Sequence, residues 1–297
     1  MCDWALCIVP LQVTGCSSGL GAALARELHA QTQPDGSPKY RVYATARRVK
    51  ALEALESEGI HALALDVSSE SSVQEAVASV LEAEGRIDVL VNNAGLACFG
   101  PLAEQSLQEV QTMLDTNVVG VLRMIQAVVP GMAHQGKGLI VNIGSVSAWL
   151  STPFGGGYCA SKAALHALGD SLRLELRPFN IAVTTVCAGA IRSHFADNAT
   201  ASSGMDQYEE ATSLYKPYVG CIRQRIHMSQ TSSKVQSAEA VAAQIVRRIE
   251  RADRGSRYAV PAWFLAAGGA FALMALGVAQ KFLGTAVDGM MASKFGL

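Results

Sequence analysis

Short apolar runs recur along the chain at 4–14, 41–46, 62–65, 87–91, 138–144 and 181–187. Their length and their richness in Val, Ile, Leu and Ala predict strands buried on both faces. Between them, 22–28, 49–59, a segment capped by Ser68 or Ser69 and running to about Glu84, 107–132, a segment running to about Leu176, and 237–251 read as helices. Pro130 bends the end of the 107–132 helix. Pro10 conflicts with an interior strand because its ring removes a ladder donor, so either the strand starts after it or the extreme N-terminus is atypical. Strands and helices alternating at this rhythm predict an α/β fold, a doubly wound parallel sheet with helices on both faces. Right-handed crossovers then bring the strand C-terminal ends to one edge, where ligands bind. Residues 257–260 read as a last edge strand, closing a single domain over 1–260, and 261–297 follow as a hydrophobic tail.

Chemistry-bearing residues cluster where the strands end. The first strand leads into Thr14-Gly15-Cys16-Ser17-Ser18-Gly19-Leu20-Gly21. The glycines permit a tight turn and close backbone approach, and the next helix offers N–H groups suited to a pyrophosphate. The alternative is a plain strand-to-helix connection. The second strand ends at Arg47-Arg48 with no carboxylate. An acidic residue there would accept from a ribose 2′-OH, whereas arginine suits a 2′-phosphate, so the pair predicts NADP(H). The fourth strand ends in Asn92-Asn93-Ala94-Gly95, which can line a cofactor groove or simply end a strand.

The fifth strand delivers Ser145, and Tyr158-Cys159-Ala160-Ser161-Lys162 follows a glycine-rich turn. A spacing of four puts Tyr158 and Lys162 on one helix face. A phenol titrates near ~10, and an ammonium one turn away is expected to lower that value. Ser145 can donate to a carbonyl oxygen held against the tyrosine. The three residues suit proton transfer at the oxygen of an alcohol/ketone pair.

Composition narrows the class. The 24 basic and 25 acidic residues leave a net charge of -1, so no global field attracts nucleic acid. Seven scattered cysteines without a Cys-x-x-Cys pair predict reduced thiols and no metal site. The N-terminus lacks a basic n-region, and no signal peptide is expected.

Thr14-Gly15-x-x-x-Gly19-x-Gly21, Asp66-Val67, Asn92-Asn93-Ala94-Gly95, Asn117, Ser145 and Tyr158-x-x-x-Lys162 occur in order over about residues 5–260. In these motifs the chain resembles the short-chain dehydrogenase/reductase family, which has a Rossmann-like fold. The resemblance implies that Tyr158 is the general acid/base and that Ser145 polarises the substrate oxygen. It implies that Lys162 lowers the tyrosine pKa and binds the nicotinamide ribose, and that Asn117 supports a water-linked proton relay. For the cofactor it implies Gly15, Ser17, Ser18, Gly19, Leu20 and Gly21, with Ser18 and Arg47 toward the 2′-phosphate and Arg48 beside them. Asp66 and Val67 are expected at the adenine, Asn93, Ala94 and Gly95 along the cofactor, and Ile191 and Ser193 at its nicotinamide end. After the sixth strand the chain has Ala188-Gly189 where the family has Pro-Gly, which predicts a looser loop. Family members commonly form homodimers or homotetramers.

Around Tyr158, and again at Leu174-Glu175-Leu176-Arg177-Pro178-Phe179-Asn180-Ile181, the sequence is similar to NADPH-dependent 1-acyldihydroxyacetone-phosphate reductases. The first turn and Val42-Tyr43-Ala44-Thr45-Ala46-Arg47 are similar to 17β-hydroxysteroid and retinol dehydrogenases. A lipid-like ketone substrate is therefore expected, with a non-catalytic NADP-binding sensor or scaffold as the rival of another class. Decay of the Asn117, Ser145, Tyr158 and Lys162 set would mark that rival, and all four are present.

Residues 192–237 are expected to form a substrate lid. His194, Phe195, Met205, Tyr208, Leu214, Tyr215, Tyr218, Ile222 and Met228 suit an acyl chain, and Lys216, Arg223, Arg225 and His227 a phosphate head; a mobile loop packing on its own domain is the alternative. Asn198-Ala199-Thr200 fits a glycosylation sequon that a cytosolic setting makes incidental. The uncharged run 258–279 is long enough for the ~20 residues of a spanning helix. Arg247, Arg248, Arg251, Arg254 and Arg257 precede it and only Lys281 and Lys294 follow, which puts the domain on the cytosolic side. Membrane association through 261–279 is the expectation, at the endoplasmic reticulum or a lipid droplet. A helix in one leaflet, a cover over the substrate mouth and a soluble cytoplasmic protein are the alternatives.

Overall fold

The computed structural model describes residues 8–192, 203–231, 235–254 and 263–266. The strands in chain order are β1 (Val9–Val13), β2 (Tyr40–Ala46), β3 (His61–Ala64), β4 (Val89–Asn92), β5 (Gly138–Ile143), β6 (Ile181–Ala188), β7 (Ile191–Arg192), β8 (Gln236–Ser237) and β9 (Trp263–Ala266). Seven of them form one parallel sheet in the order β3-β2-β1-β4-β5-β6-β9, and β7 pairs with β8 apart from it. The order reverses between β1 and β4, the crevice where open α/β sheets bind ligands.

Eight helices are described: α1 (Gly19–His29), α2 (Glu53–Ser57), α3 (Glu70–Glu84), α4 (Leu107–Leu114), α5 (Gly120–His134), α6 (Gly156–Glu175), α7 (Val219–Thr231) and α8 (Ala238–Arg254). Strand side chains alternate between two apolar layers, as a sheet buried on both faces requires. On one side Val9, Leu11, Val89, Val91 and Val141 pack with Leu24 and Leu28 of α1 and Val241 and Ile245 of α8. On the other, Leu90, Ile140 and Val183 pack with Val73 and Val80 of α3, Met124 and Val128 of α5 and Leu165 of α6. Ser69 caps α3 by accepting the Ser72 N–H at 3.3 Å, and left-handed Gly85 ends it.

Pro10 lies inside β1 after all, between β2 and β4. Val9 N–H donates to Lys39 O on the β2 side, and the Pro10 carbonyl accepts Asp88 N–H on the β4 side. The missing donor of Pro10 therefore faces the stretch before β4 begins, where no ladder bond is forfeited.

The C-terminal edge also departs from the sequence reading. Residues 257–260, expected as the edge strand, lie outside the described residues. The strand on β6 is β9, from within the apolar run itself, with Trp263 opposite Thr185 and Ala266 opposite Ala188. Within the 261–279 run the described residues Trp263–Ala266 are strand, and the rest of the run lies outside the described residues. Among the described residues the one helical stretch long and apolar enough to cross a membrane is Leu107–His134, with mean hydropathy 1.2. Its Met113, Met124, Val128 and Met132 are buried in the protein.

Candidate active site

The turn after β1 is built for close approach. Gly15 has φ +74°, and a Cβ there would meet Ala94 Cα at 2.7 Å. Thr14 Oγ1 accepts Asn93 N–H at 3.0 Å and Ala94 N–H at 2.9 Å, and Asn93 Nδ2 donates back to Thr14 O and Gly15 O at 2.9 and 3.1 Å. Asn93 therefore ties the glycine loop to the end of β4, a bracing role the sequence did not reveal. Ser18 is the N-cap of α1, yet its hydroxyl caps none of the helix N–H groups.

Asp66 follows β3. Burial opposes its charge, but the Ser68 hydroxyl at 2.6 Å and N–H at 3.0 Å, with Arg47 and Arg123 nearby, hold the carboxyl below its ordinary value. Arg47 is exposed at the end of β2 and lines the same cavity; Arg48, also exposed, does not. Arg48 sits one residue beyond, opening a 3-10 turn at Val49–Leu52.

Ser145 ends the turn after β5, and Tyr158, Lys162 and His166 sit on successive turns of α6. The entry to α6 is constrained: Phe154 is held at φ +60°, a rare conformation for an aromatic residue, with its ring buried beside Tyr208 and Ile222. The Ser145 hydroxyl lies near enough to Tyr158 to pull the phenol pKa down, and Ser145 Oγ accepts the Ser147 N–H at 3.1 Å. Lys162 Nζ donates to Ile143 O at 2.9 Å and lies 5.9 Å from the Tyr158 ring centroid.

Burial opposes the expected fall in the tyrosine pKa. Burial pushes the Tyr158 phenol up to about 12, against the opposing pull of Ser145 and, more weakly, Arg225. Burial likewise pushes the Lys162 ammonium down to about 8. The ammonium is turned to the Ile143 carbonyl, and burial is the largest influence on the phenol.

Asn117 lies at the centre of a π-helical turn, Asp115–Val119, between α4 and α5, and is fully buried. Its side chain accepts Leu96 N–H at 2.9 Å and donates to Leu96 O at 2.8 Å and Ser161 Oγ at 3.0 Å. It stands behind the cavity wall rather than on it, holding the loop after β4 to the residue before Lys162. That side chain is occupied by brace contacts.

These elements enclose one cavity of about 440 Å³. Gly15, Ser17, Ser18, Gly19, Leu20, Gly21, Arg47, Asp66, Val67, Asn93, Ala94, Gly95, Tyr158, Lys162 and Ile191 all line it, as does Ser145. Ser193, His194, Phe195, the 198–200 sequon and the tail after 266 lie outside the described residues. The loop after β6 is not loose where it is described: Gln236 N–H donates to Ala190 O at 3.3 Å, and Ile191 pairs in β7. From the expected lid, Arg225 and Met228 of α7 reach the cavity, while Tyr208 and Ile222 pack behind it. Among the described residues no cluster of potential metal ligands occurs.

The cavity fits a nicotinamide dinucleotide. Gly15 and Gly21 leave no space for side chains, the Ser18 hydroxyl caps no helix N–H, and Arg47 adds a positive charge to the lining.

The short chain dehydrogenase family model matches residues 11–204, more than half of the chain. Mouse (Mus musculus) 17-beta-hydroxysteroid dehydrogenase type 1 is 40% identical over 65% of this chain and 57% of its own. NADPH-dependent 1-acyldihydroxyacetone phosphate reductase of Schizosaccharomyces pombe is 35% identical over 69% of this chain and 67% of its own. Human (Homo sapiens) retinol dehydrogenase 8 is 37% identical over 66% and 63%. The matched region thus spans little more than half the length of the steroid enzyme. A short-chain dehydrogenase from Streptomyces avermitilis superposes with TM-score 0.75 at 28% identity, covering 97% of this chain and 98% of that one. A serine dehydrogenase complexed with NADP+ gives 0.71 at 25% identity over 86% and 94%. A Burkholderia phymatum member in complex with NAD gives 0.75 at 24% identity over 95% and 96%, a likeness of fold. The glycine cradle, Ser145 and Tyr158 on one cavity with Lys162 one turn on, the sheet order and these similarities agree: the chain belongs to the short-chain dehydrogenase family.

Proposed function

We propose that this chain is an NADPH-dependent carbonyl reductase acting on a lipid-like ketone, of the kind the Schizosaccharomyces pombe relative is named for. The observation that carries the reading is that Ser145, Tyr158 and Lys162 line the same cavity as the glycine loop, with the Ser145 hydroxyl near enough to pull the phenol pKa down. NADPH, when bound, supplies a hydride to the carbonyl carbon. A phenol held well above neutrality keeps its proton until the substrate oxygen gains charge, which suits Tyr158 as the acid in the reducing direction. Ser145 donates to the same oxygen, and the Lys162 ammonium supports the tyrosinate once the proton has left. Asn117 keeps Leu96 and Ser161 in register and acts as a positioning residue.

Arg47 and Ser18 support NADPH over NADH, because both line the cavity and an arginine after β2 suits a 2′-phosphate. A second reading, a 17β-hydroxysteroid or retinol dehydrogenase, is favoured by the higher identity to the mouse and human enzymes.

Attachment to a membrane surface belongs to the same reading. It rests on the uncharged sequence after β9, since 267–279 alone falls short of the ~20 residues a span needs.

Full-length Tyr158→Phe should bind NADPH as the wild type does and reduce ketones at least about 1000-fold more slowly. Full activity in that variant sinks the mechanism.

A further inference from the structure

Arg225 enters the cavity from α7 and is 5% exposed. Its Nε donates to Thr152 Oγ1 at 2.8 Å, and its guanidinium carbon lies 4.4 Å from the Phe99 ring centroid. That ring is 6.1 Å, centroid to centroid, from Tyr158, so the cation is one aromatic ring removed from the proposed proton donor. The contact with Gly155 is close enough that a Cβ there would lie 2.9 Å from Arg225 Nη2. Among the described residues no carboxylate pairs with Arg225, and no hydrogen bond engages either Nη.

A guanidinium cannot escape burial by losing its proton, so an unmatched one carries a desolvation penalty. Thr152 and the face of Phe99 offset part of it and leave the outer edge of the fork unused. The other cations of the region are engaged elsewhere: Lys216 is exposed, Arg223 is exposed and paired with Glu209, and His227 bonds Gln230 at 3.1 Å. We propose that Arg225 binds an anionic group of the substrate, a phosphate or carboxylate, within a few atoms of the ketone carbon. Arg225 is then a specificity-determining residue, because a neutral steroid or retinoid would leave its charge buried and unmatched. The inference rests on the reductase reading and narrows its substrate class.

The test uses the full-length chain with NADP+ bound, titrated calorimetrically with octyl phosphate and with octanol, alongside turnover of a long-chain acyl-dihydroxyacetone phosphate and its dephosphorylated ketone. The wild type should bind octyl phosphate at least about 10-fold more tightly than octanol. In Arg225→Met that preference should vanish, and the ratio of kcat/KM for the phosphorylated over the neutral ketone should drop about 100-fold. Arg225→Lys should restore part of both. NADP+ affinity in each variant reports that the fold is intact, and Thr152→Val, which removes the Nε acceptor, should lower the phosphate preference several-fold if Arg225→Met does not fold. A wild type indifferent to the phosphate, or an Arg225→Met variant that keeps the preference, overturns the proposal. Phosphate preference without turnover of any ketone upholds the anion site and sinks the reductase reading. Reduction of both ketones alike does the reverse.

Discussion

The backbone N–H of Ser145 donates to His166 Nε2 at 3.2 Å, one turn beyond Lys162 on α6. The packing is tight, since a Cβ on Gly144 would lie 2.8 Å from His166 Cδ2. The imidazole must be neutral to accept, and burial, reinforced by the Lys162 charge, pushes its pKa down to about 4 from 6.5. Between those values the unfolded chain binds the proton and the folded chain does not, so stability falls as pH drops from 6.5 toward 4. The loss is on the order of 3 kcal/mol. Chemical denaturation at stepped pH should show this slope in the wild type and a flatter one in His166→Gln; equal slopes would remove His166 from the account.

Lys162 titrates on the alkaline side. Its folded value of about 8 lies below the ordinary 10.5. Below pH 8 the ammonium is charged in both states and its burial weakens the fold. Through the interval up to 10.5 the folded protein releases the proton first, and the penalty is relieved as pH rises. Wild-type stability relative to Lys162→Met should therefore increase over that window by roughly 3 kcal/mol. A flat difference would mean that the amine titrates normally.

Gly21 packs under the glycine turn, where an added Cβ would lie 2.5 Å from Asn93 Nδ2. Gly21→Ala should cost about 1–3 kcal/mol in denaturant unfolding and weaken NADPH binding by at least about 10-fold as the Asn93 brace is displaced. Gly131→Ala, in α5 with nothing within 4 Å, is the control and should be neutral or stabilising.

Arg47→Glu should reverse cofactor choice. A carboxylate at the end of β2 repels a 2′-phosphate and accepts from a ribose hydroxyl, so the NADPH/NADH ratio of kcat/KM should fall at least about 100-fold. An unchanged ratio would assign NADPH recognition to other groups.

What the sequence made legible was the local and periodic. Leu90 and Ile140 facing one layer and Val89 and Val141 the other follow from apolar runs, and the cradle from Gly15, Gly19 and Gly21. What it hid depended on the third dimension. Lys162 is one turn from Tyr158 as expected, but only the fold shows its ammonium turned to Ile143 O, with burial governing the phenol. Pro10 looked misplaced because its strand neighbours, and hence the side without a ladder partner, were unknown. Trp263–Ala266 read as part of a membrane run because apolar sequence suits a strand on β6 as well as a bilayer. Arg225 was one of four cations until burial set it apart.

The stacking of Tyr158, Lys162 and His166 on one helix, against an Arg225 carried by another, separates two kinds of adaptability. A tilt of α6 would disturb acid, amine and the Ser145 anchor together, so that element tolerates little drift. Exchanges on the faces of α7 turned away from Tyr158 leave those three in place, so new ligand preferences are most readily engineered along that helix.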